Sequence, residues 1–222
     1  MTLLELNKQN INEILTQHHE EGGTSVNTSL SKLFSSLNDE EHLHEVMIKV
    51  AALNQIYSTS IQYIIPVVEK IIEIIDNKHD GYGVDEYVSL VDQIATVSWV
   101  SPTTGKEHTR CNLSFSSKYI HFLSGLKTPI YDSYIWILMI GYLNQNTNNT
   151  KLSFSAPTSY LSFYNILMKF KVEFKLEEYS NYDLDKFLWQ YGKNVINEIS
   201  MAEDVSLDKA KSKLKKMLTP KS

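Results

Sequence analysis

Apolar residues recur at the three- and four-residue spacing of a helix along most of this 222-residue chain, and strand-like alternation is rare. A polar stretch over 22–29 is typical of a flexible connection, and those over 76–83 and 144–149 are typical of loops. The apolar pattern predicts helices over 3–17, in two segments within 44–75, and over 87–99, 118–125, 134–143, 157–168 and 182–199.

Two further segments complete the predicted architecture. Residues 101–109 are rich in turn formers and predict a short β-hairpin, and lysines alternate with apolar residues after residue 206 as in an amphipathic helix. We therefore predict a mainly α fold with a short hairpin. Residues 1–30 would form an N-terminal helix and connection, 31–200 a helical domain, and 201–222 a basic C-terminal helix. Whether the helical domain has one body or two lobes around a cleft stays open.

One lysine and one aspartate stand at the predicted starts of successive apolar helices. Lys118 follows a serine-rich entry, which predicts a place in the first turn, and Asp132 follows Pro129 at a natural N-cap position. Two helix N-termini could then face one pocket. The helix dipole and apolar burial both favour a neutral, nucleophilic amine, and a carboxylate can stabilise positive charge on a ribosyl ring. This pair would suit cleavage of an N-glycosidic bond, although the same residues would also suit ordinary helix packing.

The segment around these two residues resembles a known family. It is similar to the catalytic region of the helix-hairpin-helix DNA glycosylase superfamily, where a lysine opens one helix and an aspartate within P-[IV]-x-D-x-x-[IV] opens the next. Here Pro129, Ile130, Asp132 and Ile135 match that pattern. The strings SFSSKYIHF and PIYDS are closer still to bacterial proteins described as similar to 8-oxoguanine DNA glycosylase. Weaker similarities, LNQIYST and FLWQYGK, spread the resemblance over about residues 45–195.

The resemblance implies a helix-hairpin-helix glycosylase-like fold and a DNA glycosylase, with or without AP-lyase activity, that removes a damaged base such as an oxidised purine. Lys118 would be the nucleophile and Asp132 its electrostatic partner. The DNA would be a duplex with an extruded base, and no cofactor or metal is expected. The residues that we expect to contact the substrate are Asn54, Gln55, Tyr131 and His121, although His121 could instead satisfy a buried hydrogen bond.

The chain departs from the family where a glycine-rich hairpin usually binds a DNA phosphate. Its residues 112–117 read NLSFSS, so we expect exposed backbone amides, the Ser116 and Ser117 hydroxyls and the nearby Arg110 to hold the phosphate instead. Arg110 is the only arginine, which argues against strong sequence recognition. The missing hairpin and the single arginine favour an alternative, a non-catalytic DNA-binding or protein-interaction module, conceivably in a bacterial defence or toxin locus. An unrelated helical interaction domain is a third possibility.

Charge and composition narrow these alternatives only in part. The net charge is −5, but residues 1–100 hold five lysines against fifteen acids, whereas 101–222 hold sixteen basic residues against eleven acids. The candidate site lies in the basic part, so DNA binding should be modest and salt-sensitive.

The single cysteine, Cys111, excludes an intramolecular disulfide and a cysteine-ligated cluster. No apolar run could span a bilayer and no signal peptide is recognisable, so we expect a cytoplasmic protein. The oligomeric state stays open.

Overall fold

The computed structural model describes residues 1–75, 81–146 and 151–219. Within these ranges the chain forms ten α-helices and one two-stranded antiparallel sheet, so the prediction of a mainly α fold with a short β-hairpin is confirmed. The elements are α1 (Lys8–Glu20), α2 (Gly23–Ser36), α3 (Leu43–Tyr57), α4 (Ile64–Ile74), α5 (Val84–Ala95), β1 (Thr96–Val100), β2 (Glu107–Cys111), α6 (Leu113–Leu123), α7 (Ser133–Asn146), α8 (Tyr160–Glu173), α9 (Asn181–Glu203) and α10 (Leu207–Leu218).

Several predicted boundaries are wrong, and α1, for example, begins at Lys8 rather than at residue 3. The expected flexible connection over 22–29 is mostly helix, because Asn27, Leu30 and Phe34 give α2 a buried face at helical spacing. The helix predicted over 87–99 ends at Ala95, and the threonine, valines and tryptophan that follow form β1, as expected for β-branched and aromatic residues. Residues 76–80 and 147–150 of the predicted loops lie outside the described residues.

The chain divides into two compact units. The first comprises Met1–Thr24, Asp132–Thr158 and Asn165–Ser222, and the second comprises Ser25–Tyr131 and Ser159–Tyr164. Our division at residues 30 and 200 stays a prediction.

In the first unit, α7 is the central helix, since every residue from Ile135 to Asn144 is buried. Helix α9 packs against α1, α7 and α10. The C-terminal helix α10 is amphipathic, as predicted: it buries Ala210, Leu214 and Leu218, and its lysines are exposed or half-buried. At the α7–α9 contact a glycine, Gly192, lies directly against Tyr134.

In the second unit, α3 packs on α4 and α6, and α5 packs on α6. The core contains a buried charged network. Lys49 and Glu40 form an ion pair with 0% and 1% of their side chains exposed, and the Tyr119 hydroxyl donates a hydrogen bond to the second Glu40 oxygen. The Lys49 ammonium also donates to the Leu37 carbonyl at 3.1 Å. The β-hairpin follows α5 directly and is closed by a turn in which Gly105 adopts a φ of +65°.

None of the helices in the described part of the chain combines the length and the apolar character needed to cross a membrane.

Candidate functional site

Lys118 lies in the second turn of α6, not in the first turn as predicted. The helix begins at Leu113, after the N-cap Asn112, so the serine-rich entry is part of the helix. Leu113 and Phe115 are both buried, and burying these two apolar side chains draws the preceding residues into the helix. The helix ends at Leu123 and is followed by Gly125 at a φ of +65°, which agrees with the predicted end.

The Lys118 side chain is 3% exposed, and its amine is held by specific contacts. The nitrogen donates to the Ser114 hydroxyl at 2.7 Å and to the Ser114 carbonyl at 3.3 Å, one helical turn earlier. It also lies over the ring of Tyr57, 5.3 Å from the ring centroid. Tyr57 is itself oriented by a hydrogen bond from its hydroxyl to the Asn27 side chain at 3.0 Å. The amine is therefore desolvated and has a defined position.

Asp132 is the N-cap of α7, as predicted. Its side chain accepts a hydrogen bond from the Tyr134 backbone N–H at 2.8 Å, and its carbonyl accepts one from the Trp136 N–H at 2.9 Å. Burial, followed by the nearby Asp132 carboxylate, raises the pKa of the Tyr134 phenol. Asp132 belongs to the first unit and Lys118 to the second, and the hypothesis that both face one pocket stays a prediction.

Ser116 and Ser117 are buried inside α6, so the expectation that they lie exposed at a helix N-terminus is wrong. Both side chains are fully buried because the helix starts earlier than predicted. The Ser117 hydroxyl donates to the Ser114 carbonyl and accepts from the Tyr131 backbone N–H, each at 3.0 Å. These two hydroxyls are not accessible to a DNA phosphate as the protein stands.

Arg110, the third expected phosphate ligand, is exposed on β2. Its guanidinium donates to the Ser60 carbonyl at 2.8 Å, which anchors one end of the group while the residue stays accessible. The position of Arg110 is thus compatible with a phosphate contact, although it lies on the hairpin rather than beside a phosphate-binding turn.

Two of the four expected substrate-binding residues are held by internal hydrogen bonds. His121 is fully buried and its Nδ1 lies 2.5 Å from the Thr128 carbonyl, which is the buried hydrogen bond that the sequence left open. The Asn54 amide donates to the Ile61 carbonyl and accepts from the Ile61 N–H and the Thr59 hydroxyl, at 2.9 to 3.0 Å. Asn54 therefore closes the loop after α3.

The other two expected substrate-binding residues, Gln55 and Tyr131, are accessible to different degrees. Gln55 is exposed on α3. Tyr131 is partly exposed, with its ring edge-on to Phe163 at a centroid distance of 5.4 Å and its backbone bonded to Ser117. Part of the Tyr131 side chain is therefore accessible.

The sequence reasoning missed two of the groups that hold Lys118 in place. Ser114 lies four residues before Lys118, so helical spacing could have revealed its contact with the amine. Spacing in the sequence could not indicate the role of Tyr57, because Tyr57 lies in α3 and Lys118 in α6. Among the residues that the structure describes, no group of three or more histidine, cysteine, aspartate or glutamate side chains could hold a metal ion.

Comparison with known proteins identifies a family but no individual relative. No curated protein and no solved structure matches the chain. Residues 10–127 match the HI_0787_N family, which is described as an N-terminal domain. Lys118 and the β-hairpin lie inside this span, and Asp132 lies just beyond it. Because the match covers more than half of the 222 residues, the chain belongs to the HI_0787_N family.

Proposed function

We propose that this protein is a DNA glycosylase that removes a damaged or modified base, with Lys118 as the nucleophile and Asp132 as its electrostatic partner. The observation that carries the proposal is the state of the Lys118 amine, which is buried, hydrogen-bonded to Ser114 and set against the Tyr57 ring. A lysine placed in this way is costly for folding alone, and a desolvated amine is the form that attacks a sugar carbon. The pairing with Asp132 rests on the sequence resemblance.

The proposed reaction uses no group beyond the protein, DNA and water. The Lys118 ammonium first gives a proton to water, and the neutral amine then attacks C1′ of the sugar while the bond from C1′ to the base breaks. The base leaves with the bonding electrons and takes up the proton that the nitrogen loses after forming the new bond. The attached sugar then opens to a Schiff base on the lysine. Hydrolysis by water releases the sugar and restores the amine. Loss of the 3′ phosphate by β-elimination before hydrolysis would add AP-lyase activity.

The proposed substrate is a damaged base in duplex DNA. By resemblance, an oxidised purine is the first candidate base, and a duplex with that base extruded is the proposed DNA partner. Tyr131, which is partly exposed, and Gln55, which is exposed, are the proposed pocket contacts, whereas His121 and Asn54 would act through the backbone segments that they hold. Action on bacterial chromosomal DNA would place the protein in the cytoplasm.

Borohydride trapping tests the nucleophile directly. The protein is mixed with duplex DNA that contains 8-oxoguanine or an abasic site, and borohydride reduces any Schiff base to a stable adduct. We expect an adduct with the wild-type protein and with Lys32→Ala, a variant of an exposed lysine in the same unit, and none with Lys118→Ala. An adduct that persists in Lys118→Ala, or no adduct from the folded wild-type protein on either DNA, would refute the assignment.

Asp132→Asn tests the proposed partner. The asparagine side chain can still accept the hydrogen bond from the Tyr134 N–H, so the α7 cap should survive while the negative charge is lost. We expect a loss of about 100-fold or more in the rate of base release, since removing one electrostatic contact to a developing charge typically has that effect. A rate within a few-fold of wild type would remove Asp132 from the mechanism.

One observation favours a second candidate, a DNA-binding module without catalysis. The hydroxyls of Ser116 and Ser117 are buried, so α6 does not offer the predicted phosphate-binding entry that would hold DNA beside Lys118. In this case the wild-type protein and Lys118→Ala would bind duplex DNA with equal affinity, and neither would form an adduct.

A further inference from the structure

The β-hairpin presents two different faces. Side chains alternate across a strand, and the register pairs Trp99 with His108 and Val97 with Arg110, so these four residues share one face. The opposite face has no aromatic ring and carries a hydrogen bond between the Ser98 and Thr109 hydroxyls at 2.8 Å; its other members are Thr96, Val100, Glu107 and Cys111.

The first face carries two aromatic rings, and a third ring contacts one of them. The rings of Trp99 and His108 are stacked, with centroids 5.4 Å apart and planes 17° from parallel. The ring of Tyr63, just before α4, contacts Trp99 at a centroid distance of 5.5 Å and an angle of 38°. Tyr63 is 43% exposed, and His108 is exposed as well. This ring cluster therefore has accessible surface on Tyr63 and on His108.

The charge on this face is positive. Arg110 is the only arginine of the chain, it is exposed, and its contact with the Ser60 carbonyl keeps the guanidinium beside the rings. Lys106 is exposed in the turn that joins the strands. The only acid between residues 96 and 111 is Glu107, which pairs with Val100 on the opposite face. Aromatic rings can stack on nucleobases, and cationic side chains without a neighbouring acid can contact phosphates, so this face is suited to nucleic acid.

The geometry also indicates how a ligand would bind. The cavity lined by Tyr63, Trp99 and Arg110 has a volume of about 20 Å³, enough for one water molecule but not for a nucleobase. The Trp99 indole nitrogen is buried and has no hydrogen-bond partner among the described residues, so it is not placed to donate to a ligand on the surface. A base would thus stack on the exposed surface of the ring cluster instead of entering a pocket.

We propose that Tyr63, Trp99 and His108 form a stacking platform for unpaired bases of a DNA strand, with Arg110 and Lys106 contacting the adjoining phosphates. This inference rests on the proposed action on DNA and names a second surface for it, on the hairpin. Because every base has a flat face, such a platform would bind single-stranded DNA with little sequence preference and with a strong dependence on salt.

Fluorescence anisotropy of a labelled single-stranded oligonucleotide of mixed sequence tests the platform. We expect Trp99→Ala to weaken binding about 10-fold or more and Trp99→Phe, which keeps an aromatic ring, to weaken it far less. The matched control is Val100→Ala, since Val100 is 59% exposed on the opposite face of the same strand and should not affect binding. Arg110→Gln should lower both the affinity and its dependence on salt.

Two precautions make the result decisive. Thermal melting of each variant establishes that the protein is folded, and Trp99→Phe together with Arg110→Gln serves if Trp99→Ala does not fold. The inference is overturned if the folded wild-type protein does not bind the oligonucleotide, or if the hairpin variants bind like Val100→Ala.

Borohydride trapping separates this inference from the proposed function, because Lys118 lies in α6 and is not part of the hairpin. Binding that depends on Trp99, in a protein that forms no borohydride adduct, would refute the glycosylase and support the platform. If an adduct forms at Lys118 but single-stranded DNA binds equally well to the Trp99 variants, the glycosylase is supported and the platform is refuted.

Discussion

Lys118 places its amine nitrogen over the ring of Tyr57, 5.3 Å from the centroid. The two residues come from α6 and α3, which are separated in sequence by α4, α5 and the hairpin. A cation over an aromatic face is stabilised by the ring, and the effect grows when water is excluded. This contact and the Ser114 hydroxyl offset part of the cost of burying the amine, and they hold it in one place.

A double-mutant cycle measures the contact between Lys118 and Tyr57. The variants Lys118→Met, Tyr57→Leu and their combination are unfolded in urea, and the free energies of unfolding are compared. We expect a coupling of about 1–2 kcal/mol, the value for a desolvated cation on a ring. Tyr57→Phe, which keeps the ring and loses the hydrogen bond to Asn27, should retain most of this coupling. Additive effects of the two changes would show that the contact contributes nothing to stability.

Breaking the buried network of Glu40, Lys49 and Tyr119 should strongly destabilise the second unit. Glu40→Gln leaves the Lys49 ammonium buried without a charged partner, which should cost about 3–5 kcal/mol of unfolding free energy. Burial and the adjacent Glu40 carboxylate hold the pKa of the Tyr119 phenol well above its ordinary value, so the phenol acts as a donor. Tyr119→Phe removes that hydrogen bond and should cost about 1.5–3 kcal/mol.

The control for this network is Glu41→Gln, an exposed neighbour of Glu40 that should change the unfolding free energy very little. The double variant Glu40→Gln with Lys49→Met should recover part of the loss, because it removes the unpartnered charge. If Glu40→Gln unfolds at the same urea concentration as Glu41→Gln, the network has no energetic role.

His18 should make the stability of the first unit fall in mild acid. Burial, followed by the nearby Lys186 ammonium, lowers the pKa of His18 below 6.5, although Gln190, Asp185 and Glu21 act in the opposite direction. The unfolded chain therefore takes up a proton near pH 6.5 that the folded chain does not. The His18 contribution to the free energy of unfolding is therefore fully present above that pH. Below it the free energy of unfolding declines, by at most about 1.4 kcal/mol per pH unit for one group.

Urea unfolding between about pH 7.5 and about pH 5.5 checks whether the free energy of unfolding falls as the pH is lowered. His18→Gln should reduce the decline, whereas His19→Gln, at an exposed position on the same helix, should leave it as in wild type. An equal decline in the two variants would assign the pH dependence to other groups.

Gly192 allows α7 and α9 to approach closely. A Cβ atom at this position would lie 2.9 Å from the Tyr134 Cβ and 3.3 Å from its carbonyl oxygen. Gly192→Ala should therefore lower the unfolding free energy by about 1–3 kcal/mol, despite the better helix propensity of alanine. Gly81→Ala is the control, since none of the residues that the structure describes lies within 4 Å of a Cβ built there. A Gly192→Ala protein as stable as the control would indicate that the two helices separate at no cost.

Local pattern was enough to predict much of this protein. Apolar spacing identified the helical class and the amphipathic α10, the turn-rich segment identified the hairpin, and the proline before Asp132 identified the cap of α7. These features depend on residues that are close in sequence, through helix periodicity, turn chemistry and the hydrogen bond from a cap to its own first turn.

Long-range packing decided the rest. The start of α6 moved to Leu113 because Leu113 and Phe115 are buried by other elements, and this shift enclosed Ser116 and Ser117 and placed Lys118 in the second turn. The same holds for the ion pair of Glu40 with Lys49 and for the Tyr57 ring beneath the Lys118 amine. Burial, and the partner that makes a buried charge tolerable, come from segments far apart in the chain, so no local pattern could have specified them.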